Sequence, residues 1–150
     1  MIEVLIAILI FSVGILGIVG LQASAVTAST DAKYRSEASL LANNLIGQMW
    51  VSNRSLASLQ TNFSGKVAGV ADGANYINWA WGSTGSTSAP TSGTVLNILP
   101  GAQTNPPIVS LVAAAPGDPL SSTVVTITIF WQLPSETVLH NYITTVEIGG

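Results

Sequence analysis

Residues 2–52 read IEVLIAILIFSVGILGIVGLQASAVTASTDAKYRSEASLLANNLIGQMWVS. From position 4 to position 21 there is no ionisable side chain, and about 18 apolar residues at 1.5 Å rise give roughly 27 Å, close to the hydrocarbon thickness of a bilayer. That half predicts a membrane-spanning helix. Gly14, Gly17 and Gly20 recur within it and leave a small-residue strip where another helix could approach. No stop signal follows: the stretch has no proline, and Gly47 is the only glycine after Gly20. The helix therefore runs on, to a length of about 75 Å. Tyr34, Ala38, Leu41, Leu45 and Met49 fall at i, i+3/i+4 spacing, so the second half is amphipathic and has one face to lay on a domain. Asp31, Arg35 and Asn43 lie largely off that stripe.

The rest of the chain is poor in charge. Of 150 residues 48% are hydrophobic and 7% charged, against roughly 25% charged in an ordinary soluble domain. Four basic residues and a net charge of -3 cannot supply the phosphate neutralisation that nucleic-acid binding needs. With no cysteine there is no disulfide framework, thiolate nucleophile or Cys-based metal site. The length suits one modest domain with an anchor.

Beyond residue 55 the helical period gives way to period two. In ANYINWAWG (74–82) Ile77, Trp79 and Trp81 alternate with Tyr76, Asn78 and Ala80, a strand-like pattern that also admits a short helical turn. GSTGSTSAPTSGT (82–94) is low-complexity and predicts a flexible surface loop. PPIVSLVAAAP (106–116) predicts a strand. STVVTITIFWQLP (122–134) is the clearest strand, with Val125, Ile127, Ile129 and Trp131 on one face and Thr126, Thr128, Phe130 and Gln132 on the other. HNYITTVEIG (140–149) completes an antiparallel meander of three strands over 108–148, with an edge free to pair.

The stretches IEVLIAILIFSVGILGIVGLQ, YRSEASLLANNLIGQM and TVVTITIFWQLPSE together resemble the PilV-type minor pilins of bacterial type IV pili. The likeness is strong over the first 50 residues and moderate over the final third; between 56 and 105 it is confined to points such as the LPG at 99–101. The first motif is shared with major pilins and type II secretion pseudopilins, and the YRSEASLLANNLIGQM helix favours the PilV type. The resemblance implies a type IV pilin-like α+β fold: residues 1–21 as the transmembrane half of the helix, 22–55 as its amphipathic half, and 56–150 as a β-rich head. It implies a non-catalytic subunit without cofactor or metal. The expected role is priming pilus assembly in a tip complex with other minor pilins and the major pilin, after residence in the inner membrane with the head in the periplasm. The family's precursors carry a basic leader ending in glycine and then Phe-Thr-Leu before the Ile-Glu; Met1 stands at that leucine position, so processing is not legible here.

One carboxylate, Glu3, precedes the apolar run. A carboxylate in the first turn of a helix is favoured by the macrodipole, by about 0.3–1 kcal/mol. The resemblance implies more: the matching glutamate of the family pairs with the terminal ammonium of a neighbouring subunit and sets axial register, and a charge in an apolar medium demands such a partner. The other candidates are weak. His140, the only histidine, has Glu136 four residues before it and reads as structural. No serine sits in a GxSxG elbow. Trp50, Trp79, Trp81 and Trp131 read as core or interface side chains, with a ligand platform at Trp79 and Trp81 as the lesser alternative. The sequons at Asn53 and Asn62 are chance matches in a bacterial context. Two other readings stand beside the minor pilin. One is a type II secretion pseudopilin. The other is a secreted binding or enzymatic domain whose signal peptide ends at Ala23-Ser24-Ala25, against which the apolar run is too long and lacks a basic flank.

Overall fold

A computed structural model describes residues 2–82, 89–115, 122–134 and 136–149. The elements follow in the order α1 (Ile2–Val51), α2 (Leu56–Phe63), α3 (Ala74–Ala80), α4 (Val95–Ile98), β1 (Ile108–Ala113), β2 (Thr123–Trp131) and β3 (His140–Ile148). The fold class is α+β: a 50-residue helix and a three-stranded antiparallel sheet. By compactness the chain divides into Met1–Tyr34 and Arg35–Gly150.

Within the first unit the helix is uninterrupted, as the absence of proline predicts, and its large apolar side chains from Ile2 to Val26 are exposed. Three hydroxyls in this stretch bond to the helix itself. Ser12 Oγ donates to the Ile8 carbonyl at 2.7 Å, Thr27 Oγ1 to Ala23 at 3.2 Å and Thr30 Oγ1 to Val26 at 2.8 Å. This four-residue back-bonding lets Ser12 sit in an apolar run without a stranded donor.

Within the second unit the end of α1 contacts the sheet. Ala38, Ala42, Leu45 and Met49 have no solvent exposure, a stripe at i, i+4, i+7 and i+11 that is narrower than the predicted one. Leu41 and Tyr34 flank it half-buried, and Ala42 takes the central place expected of Leu41. Small side chains at 38 and 42 let the helix backbone approach its neighbours, while Leu45 and Met49 fill space further on.

β2 is the middle strand of the order β1-β2-β3. Thr123, Val125, Ile127, Ile129 and Trp131 are all buried, alternating with half-buried partners, as the period-two pattern predicts. The register runs Val109↔Ile127 and Leu111↔Val125 on one side, and Thr144↔Ile127 and Tyr142↔Ile129 on the other. The predicted meander is therefore present with its buried face as read. At the end of β2, Gly101 with φ 74 turns the chain so that the Pro100 carbonyl accepts the Gln132 amide at 2.9 Å. A Cβ on Gly101 would stand 3.0 Å from that of Gln132.

Residues 74–80 are the helix α3, not a strand. The apparent alternation of Ile77, Trp79 and Trp81 is overridden because Tyr76, Trp79 and Ala80 share one helical face, and those are the buried residues of the segment. α2 likewise lies where strand periodicity was expected; its buried Leu59 and Phe63 are four residues apart. Part of the predicted loop, residues 83–88, lies outside the described residues. The described part of its C-terminal side is anchored: the Thr91 amide donates to the Trp81 carbonyl at 2.9 Å, and Thr94 is buried at the start of α4.

Candidate functional site

Two features stand out as places where this chain could meet something else: the apolar half of α1 with Glu3 in its first turn, and the surface of the head. On the first, Ile2, Leu5, Leu9, Phe11, Leu16 and Leu21 are each about two-thirds or more exposed. Thirteen apolar side chains of valine size or larger between positions 4 and 21 would contribute on the order of 20 kcal/mol if buried, at about 1.5 kcal/mol or more each. A helix long and apolar enough to cross a membrane thus lies at the N-terminus, and a signal sequence passes the same test of length and composition. Glu3 is the one acidic residue in its first turn. The nearest basic residue in sequence, Lys33, is 30 positions on, or about 45 Å along a helix. No basic side chain stands between Glu3 and Lys33.

On the head, the titratable groups form local latches. Lys66 Nζ and its backbone amide both reach Asp72, at 2.6 and 2.8 Å, which closes the turn between α2 and α3 with Lys66 at φ 55. His140 Nε2 lies 2.8 Å from Glu136 Oε2, and the imidazole stacks on Trp131 with ring centroids 5.8 Å apart. Gln132 Nε2 donates to the Glu136 carbonyl at 3.1 Å. These contacts link the end of β2 to the start of β3 through Glu136. Among the described residues no group of three or more His, Asp or Glu could hold a metal ion.

The tryptophans are placed differently from one another. Trp79 is buried and donates its indole N–H to the Leu41 carbonyl at 3.0 Å, tying α3 to α1, and its ring faces the Tyr76 ring at 6.1 Å. Trp131 is core. Trp81 is half-buried with its indole nitrogen covered and without an acceptor, and Trp50 is exposed. A groove of about 540 Å³ runs beside α1 between Leu40, Leu41, Asn44, Gln48, Trp79 and Ile98. It is open, with an apolar floor and amide-bearing rims.

Tyr76 is the buried phenol at the centre of the head, donating to the Pro107 carbonyl at 2.7 Å. Burial first, and the Asp72 carboxylate second, push its ionisation far above the ordinary phenol range. The folded state therefore holds this proton more tightly than the unfolded chain. The stabilisation is intact below about pH 10, the unfolded phenol value, and is lost as pH rises beyond it, because the unfolded state then gains by ionising. Tyr76→Phe removes both the hydrogen bond and the titration. Thermal melts across pH 8–11 should show a loss of about 1–3 kcal/mol at neutral pH from the stranded carbonyl and a shallower fall above pH 10 than in the parent.

The fold and this surface together define a pilin-like α+β architecture, in which a long apolar N-terminal helix is packed at its far end on a small antiparallel sheet. No protein-family model, curated protein or solved structure matches the chain.

Proposed function

We propose that this chain is a minor pilin of the PilV type, a non-catalytic subunit held in the inner membrane by the first half of α1 and then incorporated into a type IV pilus, where it primes assembly with other minor pilins and the major pilin. One observation carries the reading. A single helix is exposed and apolar over its first half and core-forming over its second, with a lone carboxylate in the first turn. A lipid anchor alone needs only the first property, and a soluble domain only the second. A subunit that must leave lipid and enter a filament needs both, because the same apolar surface serves first against acyl chains and then against other helices.

The test uses the full chain, epitope-tagged at the C-terminus, in a piliated bacterium deleted for the corresponding gene. Surface filaments are sheared off and quantified. Several-fold fewer filaments in the deletion strain, restored on complementation, with the tag present in the sheared fraction, is the expected result. Normal piliation with loss of protein secretion would replace the reading by a pseudopilin. A soluble product beginning at residue 26 would replace it by a secreted domain.

A further inference from the structure

Asp72-Gly73 is the one place in the chain where glycine follows an aspartate or an asparagine. The pair has a reaction of its own. With no Cβ on the second residue, its backbone nitrogen can approach the carboxyl carbon of the first and close a five-membered ring. The Gly73 nitrogen bonds to Asp72 Cγ, and its proton leaves with the hydroxyl of the protonated carboxyl as one water. A second water then adds across the bond between the Asp72 main-chain carbonyl carbon and the Gly73 nitrogen, its hydroxyl going to the carbon and its proton to the nitrogen. The product, an isoaspartate, has the same atoms as the parent. Its main chain runs through Cβ and Cγ and is one carbon longer.

The fold holds both reacting atoms. The Gly73 amide donates to the Ser64 carbonyl at 2.8 Å and the Gly73 carbonyl accepts the Ile77 amide at 2.9 Å, while the Asn62 backbone closes off the space beside its Cα. On the other side the Lys66 amide donates to Asp72 Oδ1 at 2.8 Å and the Lys66 ammonium to Oδ2 at 2.6 Å. Ring closure takes the two atoms from non-bonded contact at about 3 Å to a bond of about 1.5 Å. Hydrogen bonds of ordinary length do not absorb that displacement, so one set must open first. We propose that Asp72-Gly73 is a site of spontaneous aspartate isomerisation, closed in the folded head by Lys66 and Ser64 and open whenever the turn between α2 and α3 comes apart. The Lys66 and Asp72 side chains are 35% and 21% exposed, so this opening needs less than global unfolding. The modification is a one-way exit from the folded population. An added main-chain carbon directly before Gly73 has no room on the α2 side, where a single Cβ already strikes the Asn62 backbone. The free carboxylate also moves from Cγ to Cα, which takes it away from Lys66. A chain isomerised while open therefore does not rebuild the turn. The inference rests on the head alone and not on the minor-pilin reading.

The test follows isoaspartate in the full chain, kept in detergent at neutral pH for some weeks, native or in concentrated urea. Isoaspartyl groups are labelled by enzymatic methylation and mapped to peptides. The peptide that spans Asp72-Gly73 should gain label roughly tenfold faster or more in urea than in the native protein. Lys66→Met should melt close to the parent, because a bridge this exposed adds little stability, and should raise the native rate a few-fold while leaving the urea rate unchanged. Asp72→Glu, whose longer side chain would need a six-membered ring, should lose the label. Chains enriched in the isoaspartate by chromatography should fail to regain the parent's melting transition after the urea is removed. Equal rates for the parent in the two solvents, a native Lys66→Met rate equal to the parent's, label that persists in Asp72→Glu, or isomerised chains that refold would each overturn the proposal.

Discussion

If the chain is the pilus subunit proposed above, Glu3→Ala should remain in the membrane and vanish from the sheared filament. Insertion is driven by the exposed apolar side chains between positions 4 and 21, which the substitution leaves alone, and a carboxylate opposes burial in lipid. Membrane retention should therefore be equal or stronger. The loss falls on assembly. With no cation in its own stretch of helix, a carboxylate carried into an apolar filament interior needs the terminal ammonium of a neighbour, and removing one member of a buried pair costs about 3–5 kcal/mol because the other is stranded. That is roughly a hundredfold loss of incorporation or more. If Glu3 only meets the helix macrodipole, the loss is under about 1 kcal/mol and incorporation changes a few-fold. Comparing membrane and pilus fractions of the parent, Glu3→Ala and Glu3→Asp separates the two. Near-normal Glu3→Ala in filaments would refute the pairing role.

The second large effect is in the head and should spare the membrane half. A Cβ on Gly73 would lie 2.2 Å from the backbone carbon of Asn62 and 2.6 Å from the Phe63 nitrogen. Gly73 has φ -73 and ψ 152, which any residue adopts, so the glycine is required by the approach of α3 to the end of α2 and not by its own dihedrals. Its amide also donates to the Ser64 carbonyl at 2.8 Å. A methyl group cannot be accommodated by a rotamer change when backbone is what it strikes. Gly73→Ala should cost at least the upper end of the ordinary overpacking range, about 3 kcal/mol, and lower the melting temperature by on the order of 10 °C. Gly47→Ala makes the same chemical change on the exposed side of α1 about one turn before its C-terminal end, where nothing lies within 4 Å, and should stabilise by roughly 0.5–1 kcal/mol. Opposite signs in paired calorimetric scans are the expected outcome; equal effects would show that α2 and α3 are free to move apart.

The sequence makes some of this architecture plain and hides the rest for identifiable reasons. α1 is legible because an uncharged run and the lack of proline are properties of the chain itself. The meander is legible because β2 is covered on one face, which forces strict alternation onto Val125, Ile127, Ile129 and Trp131. The short helices are not. In α3 the side chains Ile77, Trp79 and Trp81 alternate by accident of composition, and burial of Tyr76 against Trp79 decides for a helix. In α2 the signal was present, since Leu56, Leu59, Gln60 and Phe63 stand at helical spacing, but eight residues of weak periodicity compete poorly with the strand-rich pattern after them. The substitution of Ala42 for Leu41 at the centre of the buried stripe depends on how closely α1 approaches its neighbours, which no periodicity encodes. At the candidate site, the lack of a basic side chain between Glu3 and Lys33 is written in the sequence. The pairing of Glu3 is implied only by family resemblance.

Within the second unit, a pull applied along α1 at Arg35 is delivered to the seam at Ala38, Ala42, Leu45 and Met49. Along the helix axis those side chains must slip together rather than detach in sequence. The Trp79 bond to the Leu41 carbonyl lies in the same stretch and resists the same displacement. If the chain is built into a fibre as proposed, its weak link under tension would then be sought at its contacts with other molecules rather than at this seam.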